Sequence, residues 1–289
     1  MMNLKGKTAI VTGSNTGIGY ETALDLYKKG AKVYVACRNE EKALDAIKRM
    51  KADGGTGELV YGHLDLASLQ SLKAFADRVI QAESSLDLLI NNAGIMIPPQ
   101  SKTEDGFEIQ WGINFVGHFA LTGHLYNLLE VTKGSRVVTL SSNAHRGAVI
   151  DFDNFRLEKE YNTWREYGQS KLADLIFALE FEKRLRKNGK QLISLASHPG
   201  YSETDLQKYM DRDMLASLTL MTAKDGAQPT ITACLSEDAK GGQYWGPDGH
   251  DEQRGKPGLA KIYPVALNET LNAKLWDWAK ETTGVKFPF

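Results

Sequence analysis

The chain has 289 residues, 42% of them apolar and 25% charged, with a formal net charge of −1. That is the balance of a soluble protein with material for a large core, and its scattered Lys and Arg give no electrostatic footprint for nucleic acid or an anionic membrane. Two distant cysteines, Cys37 and Cys234, offer neither a disulfide framework nor metal-ligand spacing, and there is no apolar leader or long apolar span, so a cytoplasmic protein without a membrane anchor is expected.

Residues 8–11 form a short β-branched run that reads as a buried parallel strand. A glycine-rich turn follows, then a helix over 20–29 that Gly30 stops. Further strands are expected at 32–36, 58–63, 86–91, 136–140, 191–196 and 243–245. Apolar residues at helical spacing predict helices at 40–50, 69–79, 107–130, 167–187, 204–215, 223–236 and 268–283. Strands alternating with crossover helices imply an α/β fold. The expectation is a single doubly wound (Rossmann) domain over 1–289, with a mostly parallel seven-stranded sheet and helices on both faces.

In such a sheet, ligands bind outside the carboxyl ends of the strands. After the first strand, Gly13, Asn15, Thr16, Gly17, Ile18 and Gly19 make a turn that lets backbone approach a pyrophosphate, whose charge meets the next helix N-terminus. After the second, Cys37 stands where an acid would hold a ribose 2′-hydroxyl. Arg38 follows it and suits a 2′-phosphate, which favours NADPH over NADH. Asp65, with Leu66 beside it, is placed to reach an adenine after the third strand. Asn92, Ala93 and Gly94 leave room for the cofactor after the fourth. Ser141 and Ser142 end the fifth, and Pro199, Gly200, Ser202 and Thr204 follow the sixth.

The helix over 167–187 places Tyr167 and Lys171 four residues apart on one face. A free phenol titrates near pH ~10, and a neighbouring ammonium favours phenolate, so a lowered Tyr167 pKa is expected. Taken alone, the pair is more often a surface coincidence. The strand-end residues give it meaning.

In order, Thr12-Gly13 through Gly17-Ile18-Gly19, Asn91-Asn92-Ala93-Gly94, Asn114, Ser142, Tyr167/Lys171 and Pro199-Gly200 resemble the short-chain dehydrogenase/reductase family, and within it the retinol-dehydrogenase-like branch. The matching residues span 8–204, about two thirds of the chain. The resemblance implies an NADP-dependent oxidoreductase interconverting a carbonyl and an alcohol on a moderately hydrophobic small molecule. Tyr167 would be its acid/base. Lys171 would lower the Tyr167 pKa and hold the nicotinamide ribose, and Ser142, rather than Ser141, would polarise the substrate oxygen. Asn114 would interrupt its helix and hold a water linking Lys171 to solvent. Ser202 and Thr204 would meet the nicotinamide end. The alternative is a cofactor-binding sensor or scaffold without turnover, against which the intact set of Asn114, Ser142, Tyr167 and Lys171 argues.

Ser142 and Tyr167 lie 25 residues apart, wider than in common members of the family. Residues 143–166 are therefore read as an insert near the substrate mouth. Such an insert can obstruct the helix face used by family oligomers, so a homo-oligomer is not assumed. Residues 203–222, which carry Met210, Met214, Leu218, Leu220 and Met221, are expected to form a substrate lid, with ordinary amphipathic core as the other reading. No metal is expected, because His118 and His124 lie within a helix without thiol or carboxylate partners. His145 and Trp245 are candidates to border the pocket, while Trp276 and Trp278 are read as packing. Retinol dehydrogenases often begin with a membrane anchor, not seen here, which disfavours a membrane-embedded retinoid.

Overall fold

The computed structural model describes residues 3–289. Strands β1 (Thr8–Thr12), β2 (Lys32–Cys37), β3 (Glu58–His63), β4 (Leu88–Asn91), β5 (Arg136–Leu140), β6 (Ile193–Ser197), β7 (Tyr244–Gly249) and β8 (Arg254–Leu259) form one sheet, in the order β3-β2-β1-β4-β5-β6-β7-β8. All neighbours are parallel except β7 and β8. The helices are α1 (Gly17–Lys28), α2 (Glu40–Ala52), α3 (Leu69–Ala82), α4 (Gly117–Val131), α5 (Thr163–Lys187), α6 (Arg212–Ala216), α7 (Ala223–Gly226), α8 (Gln228–Leu235) and α9 (Glu269–Thr283).

Side chains alternate across each strand, and β1 shows how that sorts the core. Ala9 and Val11 join the layer built from Leu24 and Leu26 of α1, Ala46 and Ile47 of α2, and Ile231 of α8. Ile10 points the other way, into the layer that holds Phe75 of α3, Phe119 of α4, Phe177 of α5 and Trp276 of α9. Every residue of β1 is buried, as a strand covered by helices on both faces requires. This is a single Rossmann-type α/β domain. The chain runs outward from β1 to β3, then returns to β4 beside β1, and that reversal opens a crevice at the strands' carboxyl ends.

The sheet has eight strands among the described residues, not seven. The extra strand, β8, reads Arg-Gly-Lys-Pro-Gly-Leu and carries no apolar alternation. Its Pro257 lies opposite Pro247, which a sheet edge tolerates because no further strand needs the missing N–H. The helix expected over 107–130 begins instead with a π-helical turn at Trp111–Val116. The helix expected from Tyr167 starts four residues earlier, at Thr163, where the Asn162 side chain accepts the Arg165 N–H. Pro229 divides the helix expected over 223–236 into α7 and α8. The stretch 204–215 breaks into a 3-10 turn (Asp205–Tyr209) capped by Thr204 and the short α6 capped by Asp211. None of the residues in those two turns is buried, which excludes the reading of this stretch as core.

Trp276 and Trp278 pack as expected. The Trp276 ring lies 5.1 Å from Phe119 and 4.8 Å from Phe287, so α9 and the C-terminal tail cover the outer side of α4 and α5. Trp278 lies 4.4 Å from Phe155, which itself stacks on Trp111 at 4.1 Å and pins the 143–166 segment to the body of the domain.

Candidate active site

Thr12, at the end of β1, organises the strand ends. Its hydroxyl oxygen accepts the backbone N–H of Asn92 and of Ala93, both at 2.9 Å, and its carbonyl accepts the Asn92 side-chain amide at 2.7 Å. Gly13 follows with φ +66°, and a Cβ there would fall 2.9 Å from Ala93, so the β1 turn and the β4 end touch through a residue without a side chain. With both hydroxyl lone pairs engaged, Thr12 donates its proton to His118 Nε2 at 2.9 Å, shorter than its 3.3 Å contact with the Ile90 carbonyl. His118 is buried, and burial pulls its pKa down to about 3, so the ring is neutral. Its Nδ1–H then donates to the Asn114 carbonyl at 2.7 Å. That carbonyl lies within the π turn, so the His118 ring ties the turn to the end of β1.

Asn114 itself is fully buried behind the crevice. Its amide donates to the Ile95 carbonyl (3.0 Å) and the Ser170 hydroxyl (2.9 Å), and its oxygen accepts the Ile95 N–H at 2.9 Å. A Cβ on Gly94 would lie 3.4 Å from that oxygen and 3.5 Å from Lys171 Nζ, so bare backbone is what passes over the two side chains.

The crevice is a cleft of about 990 Å³, the upper end of the usual range for ligand sites. It brings together Gly13, Asn15, Thr16, Gly17, Ile18 and Gly19 with Asn92, Ala93 and Gly94. Ser142, Tyr167, Lys171, Pro199, Gly200, Ser202 and Thr204 complete the expected lining. Arg38, Asp65, Leu66 and Asn114 are not part of its wall. Arg38 is largely exposed and meets Asp65 at a long 3.7 Å. Asp65 also accepts the Ala67 N–H, and Leu66 is buried against Gly117.

Ser142 faces the cleft, whereas the Ser141 hydroxyl donates to the Lys171 carbonyl at 2.7 Å, which leaves Ser142 as the serine available to a ligand. Lys171 Nζ donates to the Leu140 carbonyl at 3.0 Å and to Asp174 Oδ2 at 2.9 Å. Tyr167 is 3% exposed. Burial raises its pKa, against the lowering effects of the Lys171 charge and a Ser142 hydrogen bond, and the net direction is up. This reverses the lowered pKa expected from sequence. The ammonium acts in the predicted sense, but desolvation of a phenolate outweighs it.

Sequence reasoning missed Asp174, although three residues after Lys171 on a helix is ordinary spacing for an ion pair. It also missed the β7–β8 turn, which sends Asp251 and Gln253 to the cleft wall. That turn holds three successive non-glycine residues at positive φ, namely His250, Asp251 and Glu252 (+46°, +54° and +59°). Arg146 donates to Glu252 at 2.8 Å and holds the strained turn beside the Ser142 loop. His145 and Trp245 do not border the cleft. His145 is buried and donates from Nδ1 to the Ser142 carbonyl at 2.6 Å, and Trp245 packs against the core on the α1 side. Among the described residues, no group of three or more His, Cys, Asp or Glu could hold a metal, and no helix is long and apolar enough to cross a membrane.

A model of the short chain dehydrogenase family matches residues 7–215. The chain belongs to that family. Mouse (Mus musculus) retinol dehydrogenase 11 is 39% identical over 290 residues, covering 98% of this chain and 88% of the relative. The crystal structure of an uncharacterized protein from Mycobacterium paratuberculosis superposes with a TM-score of 0.85 at 36% identity, covering 100% of this chain and 97% of the other. A short chain dehydrogenase from Burkholderia cenocepacia, crystallised with NADP, shares the fold at a TM-score of 0.66 and 22% identity, covering 84% and 96%. This short-chain dehydrogenase is an alcohol–carbonyl oxidoreductase, and the family implies a nicotinamide cofactor.

The residues present fit such a cofactor. Among the described residues no side chain caps α1, so the amides of its first turn stay open to the cleft beside Gly13 and can meet a pyrophosphate. At the other end, Tyr167, Lys171 and Ser142 face the same space.

Proposed function

We propose that this dehydrogenase uses NADPH to reduce the carbonyl group of a moderately hydrophobic small molecule, with Tyr167 donating the proton to the oxygen. The observation that carries the reading is the meeting of Ser142, Tyr167 and a charged Lys171 on one cleft wall. A phenol that keeps its proton at neutral pH is the donor that carbonyl reduction needs. Ser142 hydrogen-bonds the substrate oxygen, and Lys171 binds ribose hydroxyls while favouring the phenolate left after transfer. Asn114 keeps Gly94 and Ile95 in place over Lys171. The bound nicotinamide supplies the hydride.

The substrate end is apolar and adaptable. Met210, Met214, Leu218 and Leu220 line the cleft from the 203–222 segment, and Trp164 lines it from the 143–166 segment. Met214 and Trp164 are each nearly half exposed, which suits a lid and rim that cover an apolar ligand. The two thiols, Cys37 and Cys234, are free and buried, in keeping with work in the cytoplasm. Turnover of NADPH against a panel of ketones, aldehydes (retinal included) and quinones tests the reading. Tight NADPH binding without oxidation on any of them would favour a sensor of the same fold instead.

Arg38 supports the choice of NADPH, because its guanidinium is exposed at the end of β2 and only loosely engaged by Asp65. Lys42 adds a second cation to the cleft wall. Arg38→Asp is expected to shift the kcat/KM ratio of NADPH over NADH by about tenfold or more toward NADH, the worth of one charge-assisted contact to a phosphate. Unchanged selectivity would mean that Arg38 does not meet the 2′-phosphate.

A further inference from the structure

We propose that Asp174 is a positioning residue that, through its ion pair with Lys171, keeps the Tyr167–Lys171 pair loaded with its proton in alkaline solution. The proposal rests on the reading of Tyr167 as the proton donor. Asp174 lies one turn after Lys171 on α5, and its side chain is 1% exposed. Its Oδ2 accepts from Lys171 Nζ at 2.9 Å, and its Oδ1 has no hydrogen-bond partner among the described residues. The lysine that faces the cleft is thus in direct contact with a buried anion, rather than only with neutral acceptors such as the Leu140 carbonyl.

That anion changes the electrostatics of both members of the pair. Burial alone would strip the proton from Lys171, but the adjacent carboxylate outweighs burial and the net direction is up. The same negative charge reaches Tyr167 and opposes phenolate formation. Burial pushes the Asp174 carboxyl up to about 7, so above that pH, where the pair titrates, it is ionised. Two titratable groups face the pair from other elements. His118 on α4 stays neutral, with its pKa pulled down to about 3 by burial. Tyr244 on β7 holds its proton more tightly than a free tyrosine because it too is buried. Ser142 and Asn114 do not ionise. Asp174 is therefore the group whose charge sets how readily the pair gives up its first proton. Because the two sites are coupled, that proton loss belongs to the pair, and removing the anion eases it whichever member releases the proton.

The test is the pH dependence of kcat/KM for carbonyl reduction. Asp174→Asn keeps the shape and removes the charge. It should move the alkaline limb to lower pH by about one unit, the usual effect of one nearby charge. Asp174→Glu, which restores the charge, should bring the limb back toward its original position. A merely structural carboxylate would lower activity at all pH values and leave the limb where it was. An unmoved limb in Asp174→Asn overturns the proposal, and if that variant does not fold, Asp174→Ser gives the same comparison. Tyr167→Phe separates the two layers of the argument. If that variant turns over at full rate with the alkaline limb intact, Tyr167 is not the donor, and the proposal falls with the reading beneath it.

Discussion

Tyr167→Phe is expected to lower kcat for carbonyl reduction by about 10³-fold, within the usual worth of a positioned general acid. The phenyl ring fills the same space in a site where the native ring is almost wholly buried, so the fold should persist. Binding of NADPH should change little, because the glycine turn and the α1 N-terminus remain intact. Stopped-flow reduction with the variant, alongside fluorescence titration of NADPH, separates the two effects. A loss of binding equal to the loss of rate would show that Tyr167 holds ligand rather than moving a proton.

Lys171→Met carries the second large effect, on stability as well as on rate. The methionine fills the volume but leaves Asp174 buried beside an apolar chain. Removing one partner of a buried ion pair costs about 3 kcal/mol or more, because the other charge is stranded. The sign with pH follows from Asp174. Its pKa is already raised in the folded state, to about 7, and loss of the ammonium raises it further. An acid whose folded pKa is raised binds, between its unfolded and folded values, a proton that the unfolded chain lacks. Stability therefore falls as pH rises through that window. Urea denaturation at about pH 5 should thus show a smaller deficit than at about pH 8. Replacing Asp174 as well should recover much of the loss. A deficit independent of pH would mean that the methionine simply packs badly.

The sheet and the glycine-turn end of the cleft were legible because their signals are local. A β-branched run, a glycine turn and a helix start are adjacent in the chain, and the parallel sheet carries all such turns to one edge. The family resemblance placed an interruption of the helix at Asn114, but its form as a π turn was not legible. The contact that ties it to β1, between His118 and Thr12, spans 106 residues of sequence. The direction of the Tyr167 pKa was misread for a related reason. The ammonium is a local fact, visible at four-residue spacing, whereas the burial that outweighs it belongs to the assembled core. Strand β8 escaped because an edge strand of glycine, proline and basic residues needs no apolar alternation, and with it went the turn that brings Asp251 and Gln253 to the cleft. Asp174 stands three residues after Lys171, a spacing that allows a helical ion pair, but only the fold shows that the pair is buried.

The most direct test of the account uses NADPH deuterated at the transferable position of the nicotinamide, with the most reactive carbonyl compound from the panel as acceptor. The account predicts one alcohol formed per NADPH oxidised, with the deuterium on the carbinol carbon and the hydroxyl proton drawn from solvent through Tyr167. NADPH that binds but is never oxidised, or an alcohol that carries no deuterium, would contradict it.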